Sequence, residues 1–142
     1  MNISRFAFTA LLSLAALGTA RAETAPAHHK VLIVVSGEGR EQGKARPGYE
    51  FDELSQAWLI FRANGLSVEI ASPQGGLVEP DRYNPKHDYN ARLLADAPAL
   101  QQLQNTRSTA DLKAGDYSAI YVVGGKGAMF DLPRDRALSA LL

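Results

Sequence analysis

The stretch "VLIVVS", Val31–Ser36, decides the fold. It is apolar up to its final serine, rich in β-branched residues, and followed by the glycines Gly37 and Gly39. An unbroken apolar run of this length, without alternation, is what a strand requires when both faces of its sheet are covered. Such a sheet is parallel and lies between helices, so the expected class is α/β.

The neighbouring segments extend this reading. "GEGREQGKARPG", Gly37–Gly48, is a loop by its glycine, proline and charge content. "YEFDELSQAWLIFRANG", Tyr49–Gly65, places Phe51, Leu54, Trp58 and Phe61 at helical spacing and stops at Asn64-Gly65. "LSVEIAS", Leu66–Ser72, alternates Leu66, Val68 and Ile70 and is a second strand ended by Pro73. Strand, helix and strand form one βαβ unit. "YSAIYVVGG", Tyr117–Gly125, is a third strand running into a double glycine. Between the second and third strands the pattern lapses. "PQGGLVEPDRYNPKHDYN" is rich in Gly, Pro, Asn and aromatic residues, and "ARLLADAPALQQLQ" has helical composition interrupted at Pro98. Residues 74–116 therefore read as an insertion near a pocket mouth, of the functional or lid type.

The chain has 142 residues, enough for one domain that buries roughly two thirds of its unfolded surface. It is 46% hydrophobic and 21% charged, an ordinary globular composition. Its 15 basic and 15 acidic residues balance, and the basic ones are scattered, so no nucleic-acid partner is expected. Residues 1–22 read as a secretory signal. Arg5 precedes an apolar run from Phe6 to Gly18, and Ala20-Arg21-Ala22 suits signal peptidase, with cleavage after Ala22. The run is short of the roughly 20 residues that span a bilayer, so no stable membrane span is expected after cleavage. The expected location is periplasmic or secreted. Residues 23–29 form a polar leader, and 30–142 form the domain. There is no cysteine, so stability must come from packing.

In open parallel sheets, ligands gather at the carboxyl ends of the strands, which points to Gly37–Gly48, Pro73–Asn90 and Gly124–Phe130. Gly37, Gly39 and Gly43 miss the dinucleotide-binding spacing, "ASPQGG" offers no acid for a ribose, and Lys126 is not followed by Ser or Thr as a phosphate loop requires. No cofactor is expected. Glu53 lies on a helix that is apolar nearly all round, where partial desolvation would raise its pKa and suit it to exchange a proton near neutrality. Alternatively it is a first-turn acid facing water, like Glu50 and Asp52. The backbone amides from Gly124 to Ala128 could hold an oxyanion at a strand end, or simply make a tight connection. No serine sits in an elbow motif, and His87 with Glu79 or Asp88 lacks the tight spacing of a metal site, so no metal is expected.

"PGYEFDELSQAWLIFRANGLSVEIASPQGG" followed by "DYSAIYVVGGKGAMFDLP" closely resembles the ThiJ/PfpI family of the class I glutamine-amidotransferase-like superfamily, in its glyoxalase III-like and chaperone subgroup. The resemblance runs from about Lys30 to Leu142. It implies a flavodoxin-like three-layer sandwich with a parallel sheet, here C-terminally truncated. It implies a cysteine nucleophile on a strand-to-helix elbow, hydrogen-bonded to a glutamate of the first long helix. That glutamate matches Glu53, and the oxyanion glycines match Gly125 and its neighbour Gly124. Lys126 stands where relatives often have His, and with His87, Tyr89 and Asn90 it would line the pocket mouth. The family's elbow cysteine and the His after it have no counterpart here.

Two functions of different class follow. The complete protein would act on reactive carbonyls such as methylglyoxal, as a glyoxalase III or deglycase, and this chain alone would be inactive. Alternatively the chain is a non-catalytic, chaperone-like or partner-binding protein. A PfpI-type peptidase or amidotransferase-like hydrolase is a further alternative. The expected partners are a small reactive carbonyl, an unfolded client protein or a second copy of the chain.

Overall fold

The structure, a computed structural model, describes residues 29–142. The signal segment 1–22 and most of the leader lie outside the described residues. The first strand is β1, Lys30–Val34, followed by helix α1, Phe51–Ala63, and strand β2, Ser67–Ser72. Helices α2, Asp88–Leu94, and α3, Ala97–Gln104, lead to a two-residue strand β3, Arg107–Ser108. Strand β4, Ala119–Val122, then runs into α4, Ala128–Asp131, and α5, Arg136–Leu141. The four strands make one all-parallel sheet in the order β3-β2-β1-β4.

β1 is central because its sequence admits no other place. Leu32, Ile33, Val34 and Val35 are fully buried, with alternate residues feeding opposite layers. Ile33 and Val35 face Leu54, Ala57 and Trp58 of α1, together with Leu93 of α2 and Leu103 of α3. Leu32 and Val34 face Tyr117, Leu132, Leu138 and Leu141. Helices on both faces complete the three-layer α/β sandwich. Among the described residues no helix is long and apolar enough to cross a membrane.

The structure corrects the segment from 73 to 116. It holds two α-helices, a short strand and two 3-10 turns, where the sequence shows a lapse of period and one stretch of helical composition. Pro98 does not interrupt a helix. It sits in the first turn of α3, where its missing N–H has no partner to lose, and Asp96 caps that turn by accepting from the Ala99 N–H at 3.0 Å. β3 is too short and polar to show a period. Its pairing covers only Ala71 and Ser72 of β2, and the Gln102 side chain takes over for the rest of that edge. The Gln102 amide accepts from the Ile70 N–H at 2.7 Å and donates to the Val68 carbonyl at 3.0 Å, satisfying two backbone groups as a neighbouring strand would. The strand expected over Tyr117–Gly125 is confined to Ala119–Val122, the fourth of the sheet and its edge.

Candidate active site

The carboxyl ends of β1 and β4 adjoin a cleft of about 710 Å³, at the point where the sheet's strand order reverses. Its floor is set by close backbone packing. The segment Pro47–Tyr49 threads between Glu79–Asp81 on one side and Gly124–Gly127 on the other. The Gly127 N–H donates to the Gly48 carbonyl at 3.0 Å, the Glu50 N–H to the Gly124 carbonyl at 3.1 Å, and the Asp81 N–H to the Tyr49 carbonyl at 2.9 Å. Two glycines are indispensable to this crossing. Gly125 has φ 105°, and a Cβ there would stand 2.7 Å from the Glu50 nitrogen; a Cβ on Gly48 would stand 2.7 Å from the Pro80 carbonyl carbon.

Glu53 projects from the first turn of α1 and its Oε2 accepts from the Gly124 N–H at 2.7 Å. The expected desolvation of Glu53 is not found. The carboxylate is exposed, on a face of α1 that shares a groove with Tyr121 of the edge strand β4. It borders a second groove of about 390 Å³ formed with Ile60, Phe61 and Tyr121. The two glycine amides are thereby distinguished. The Gly124 N–H is engaged by Glu53, whereas the Gly125 N–H makes no hydrogen bond among the described residues, and Gly125 lines the larger cleft.

Lys126 lines that same cleft, but His87, Tyr89 and Asn90 do not. These three brace the start of α1 from another side, because α2 packs on α1 and carries them to Asp52. Asn90 is fully buried and donates to Asp52 Oδ1 at 2.6 Å, while the Ser55 hydroxyl donates to Asn90 Oδ1 at 2.6 Å. The Tyr89 hydroxyl donates to Asp52 Oδ2 at 3.1 Å and lies 2.9 Å from His87 Nδ1, itself 3.4 Å from Asp52 Oδ2. The Asn90 and Tyr89 bonds, with His87 nearby, hold the Asp52 carboxyl below its ordinary pKa despite partial burial.

Sequence reasoning missed three residues of the cleft. Glu50, expected to face water, is half-buried there as the N-cap of α1, accepting from the Asp52 N–H at 3.4 Å. Burial pushes its pKa up, against that backbone bond, and the nearby Asp52, Glu53 and Asp81 charges push the same way. The cap position just before the first apolar residue of the helix was the available signal. Asp81 and Arg82 also line the cleft, from a segment too irregular for any pattern to single them out.

Among the described residues no side chain carries a thiol, and the buried serines at the strand ends are hydrogen-bonded. Ser36 is buried and donates to Asp131 Oδ1 at 2.9 Å; Ser72 is buried against Thr106 at 2.8 Å. What the site does offer is an unengaged backbone donor beside a carboxylate that faces an open groove.

No family model matches the sequence. A glutathione-independent glyoxalase of Schizosaccharomyces pombe is 28% identical over 99 residues, covering 66% of this chain and 41% of that protein. A solved structure of the Rapid Encystment Protein 24 KDa of Francisella tularensis superposes with a TM-score of 0.69 at 25% identity, over 79% of this chain and 51% of that one. The sequence is thus similar to glutathione-independent glyoxalases, and the fold to flavodoxin-like ThiJ/PfpI structures. A solved glyoxalase III from Candida albicans shares the fold with a TM-score of 0.64 at 20% identity, over 80% of this chain and 51% of that one. The chain spans less than half the length of the curated relative it matches.

Proposed function

We propose that this chain supplies the carboxylate and oxyanion half of a glyoxalase III-like site for small reactive carbonyls such as methylglyoxal, and that it is inactive without a nucleophile from elsewhere. The observation that carries this reading is Glu53, fixed by the Gly124 N–H at 2.7 Å yet open to solvent at the edge of β4, with the neighbouring Gly125 N–H unengaged. A thiol presented from beyond β4 would add to the aldehyde carbon while the carbonyl oxygen, gaining negative charge, draws on the Gly125 N–H. Glu53 would take the proton from the carbon of the resulting thiohemiacetal and return it to the neighbouring carbon, leaving a thioester that water hydrolyses to lactate. The chain's lack of cysteine means that the thiol comes from another segment or partner. A lactate-forming assay with methylglyoxal on the purified chain should show no turnover above background; clear turnover would contradict the assignment of inactivity.

A second reading is a partner-binding or chaperone-like protein. It is favoured by apolar side chains left exposed near the sheet edge and on α4, namely Ile60, Val122, Met129 and Phe130, from 40% to 68% exposed. It calls for suppression of client aggregation by the isolated chain, and fails if light scattering of a heated client is unchanged. We also propose export to the periplasm or beyond, on the strength of the residue 1–22 pattern. Intact mass of the exported protein should then correspond to a chain beginning at Glu23.

A further inference from the structure

The cleft has an unusual division of charge. Two acids and two bases line it, but the acids are tied to backbone donors. Glu50 caps α1 through the Asp52 N–H, and Asp81 Oδ1 accepts from the Arg82 N–H at 2.7 Å. Arg82 and Lys126 are exposed, and neither lies within ion-pair distance of an acid among the described residues. The Gly125 N–H of the same cleft also makes no hydrogen bond among the described residues, and Pro47 and Met129 add apolar wall. A neutral carbonyl would use the amide and leave both cations idle. A ligand with a carbonyl and an adjacent anionic group would use all three donors, since charge-assisted bonds are the stronger ones.

We propose that this cleft binds small 2-oxo acids, with the carboxylate held by Lys126 and Arg82 and the keto oxygen directed at the Gly125 N–H. This deepens the carbonyl-binding reading above and rests on its assignment of Gly125. It requires no catalysis, so lactate formation by the isolated chain, which would contradict the inactivity assigned above, leaves it standing.

The test is titration of the isotopically labelled chain, followed by backbone amide resonances, with pyruvate, with neutral hydroxyacetone and with inorganic phosphate. Pyruvate should shift the Gly125 and Lys126 amides saturably, and hydroxyacetone should bind about tenfold or more weakly. Lys126→Met and Arg82→Met should each weaken pyruvate by about tenfold while leaving hydroxyacetone unchanged, and Lys126→Arg should retain most of the pyruvate affinity. Both positions are exposed, and an unchanged amide spectrum elsewhere establishes that each variant is folded. Equal binding of pyruvate and hydroxyacetone, or indifference to both Met variants, would overturn the proposal. Phosphate binding as tightly as pyruvate at the same amides would overturn its keto-acid half.

Discussion

At the scale of single residues, three carboxylates within one helical turn have three different situations. Glu50 is half-buried in the cleft, Asp52 is clasped by Asn90 and Tyr89, and Glu53 reaches the Gly124 amide across the sheet end. The Asp52 clasp makes stability depend on pH with a definite sign. Its folded pKa is lowered, so its contribution is complete above the unfolded value near 3.9 and is lost as pH falls through the folded value. Asp52→Asn should therefore lower the unfolding free energy from urea titration at pH 7 by about 1 kcal/mol after allowance for solvent screening, and the gap to wild type should close near pH 2. A gap that persists unchanged at low pH would contradict the clasp. Asn90→Leu should cost more, about 1–3 kcal/mol, because it removes the donor to both the Asp52 carboxylate and the Asn84 carbonyl as well as an acceptor of the Ser55 hydroxyl. Glu53 could be picked out from its match to the family pattern, but not its environment. A helical wheel shows which side of α1 is apolar, not which neighbours the sheet brings to it.

At the scale of elements, the legible parts were those with a strong period. β1 follows from an unbroken apolar run, and α1 from Phe51, Leu54 and Trp58, all buried. The elements that periodicity missed are built from side-chain bonds instead. Asp96 caps α3 and also accepts from the Trp58 indole N–H at 3.0 Å, joining two helices through one carboxylate. Trp58→Phe keeps most of the apolar contact and deletes that bond, so a loss of about 1 kcal/mol or somewhat more is expected by chemical denaturation. Gln102 shields the edge of β2 that β3 is too short to cover. Gln102→Leu should unprotect the Ile70 amide in hydrogen exchange and lower stability by about 1–3 kcal/mol; unchanged Ile70 protection would show that the side chain is dispensable. A local sequence window cannot contain such a pairing, since Gln102 and Ile70 are 32 positions apart.

At the scale of the whole molecule, the sheet is protected on one side and, among the described residues, open on the other. The β3 side is covered by a short strand, Gln102 and the ion pairs of Glu69 with Lys30 and Arg107. The β4 side exposes Val122 and lies beside the groove with Ile60, Phe61 and Tyr121. An uncharged edge of this kind pairs readily with another strand. Light scattering on the purified chain should show an average mass that rises with concentration, and Val122→Lys should reduce that rise. A concentration-independent monomer would argue that the edge is already blocked. The same open side carries Glu53, so whatever covers β4 also meets the carboxylate. The most direct measurement is therefore made on a chimaera in which this chain is completed with the remaining residues of the fission yeast glyoxalase relative. Lactate formation from methylglyoxal is expected, with Glu53→Gln lowering the rate at least a hundredfold while leaving the fold intact by circular dichroism. Full activity in the Glu53→Gln chimaera would contradict the role assigned to this carboxylate.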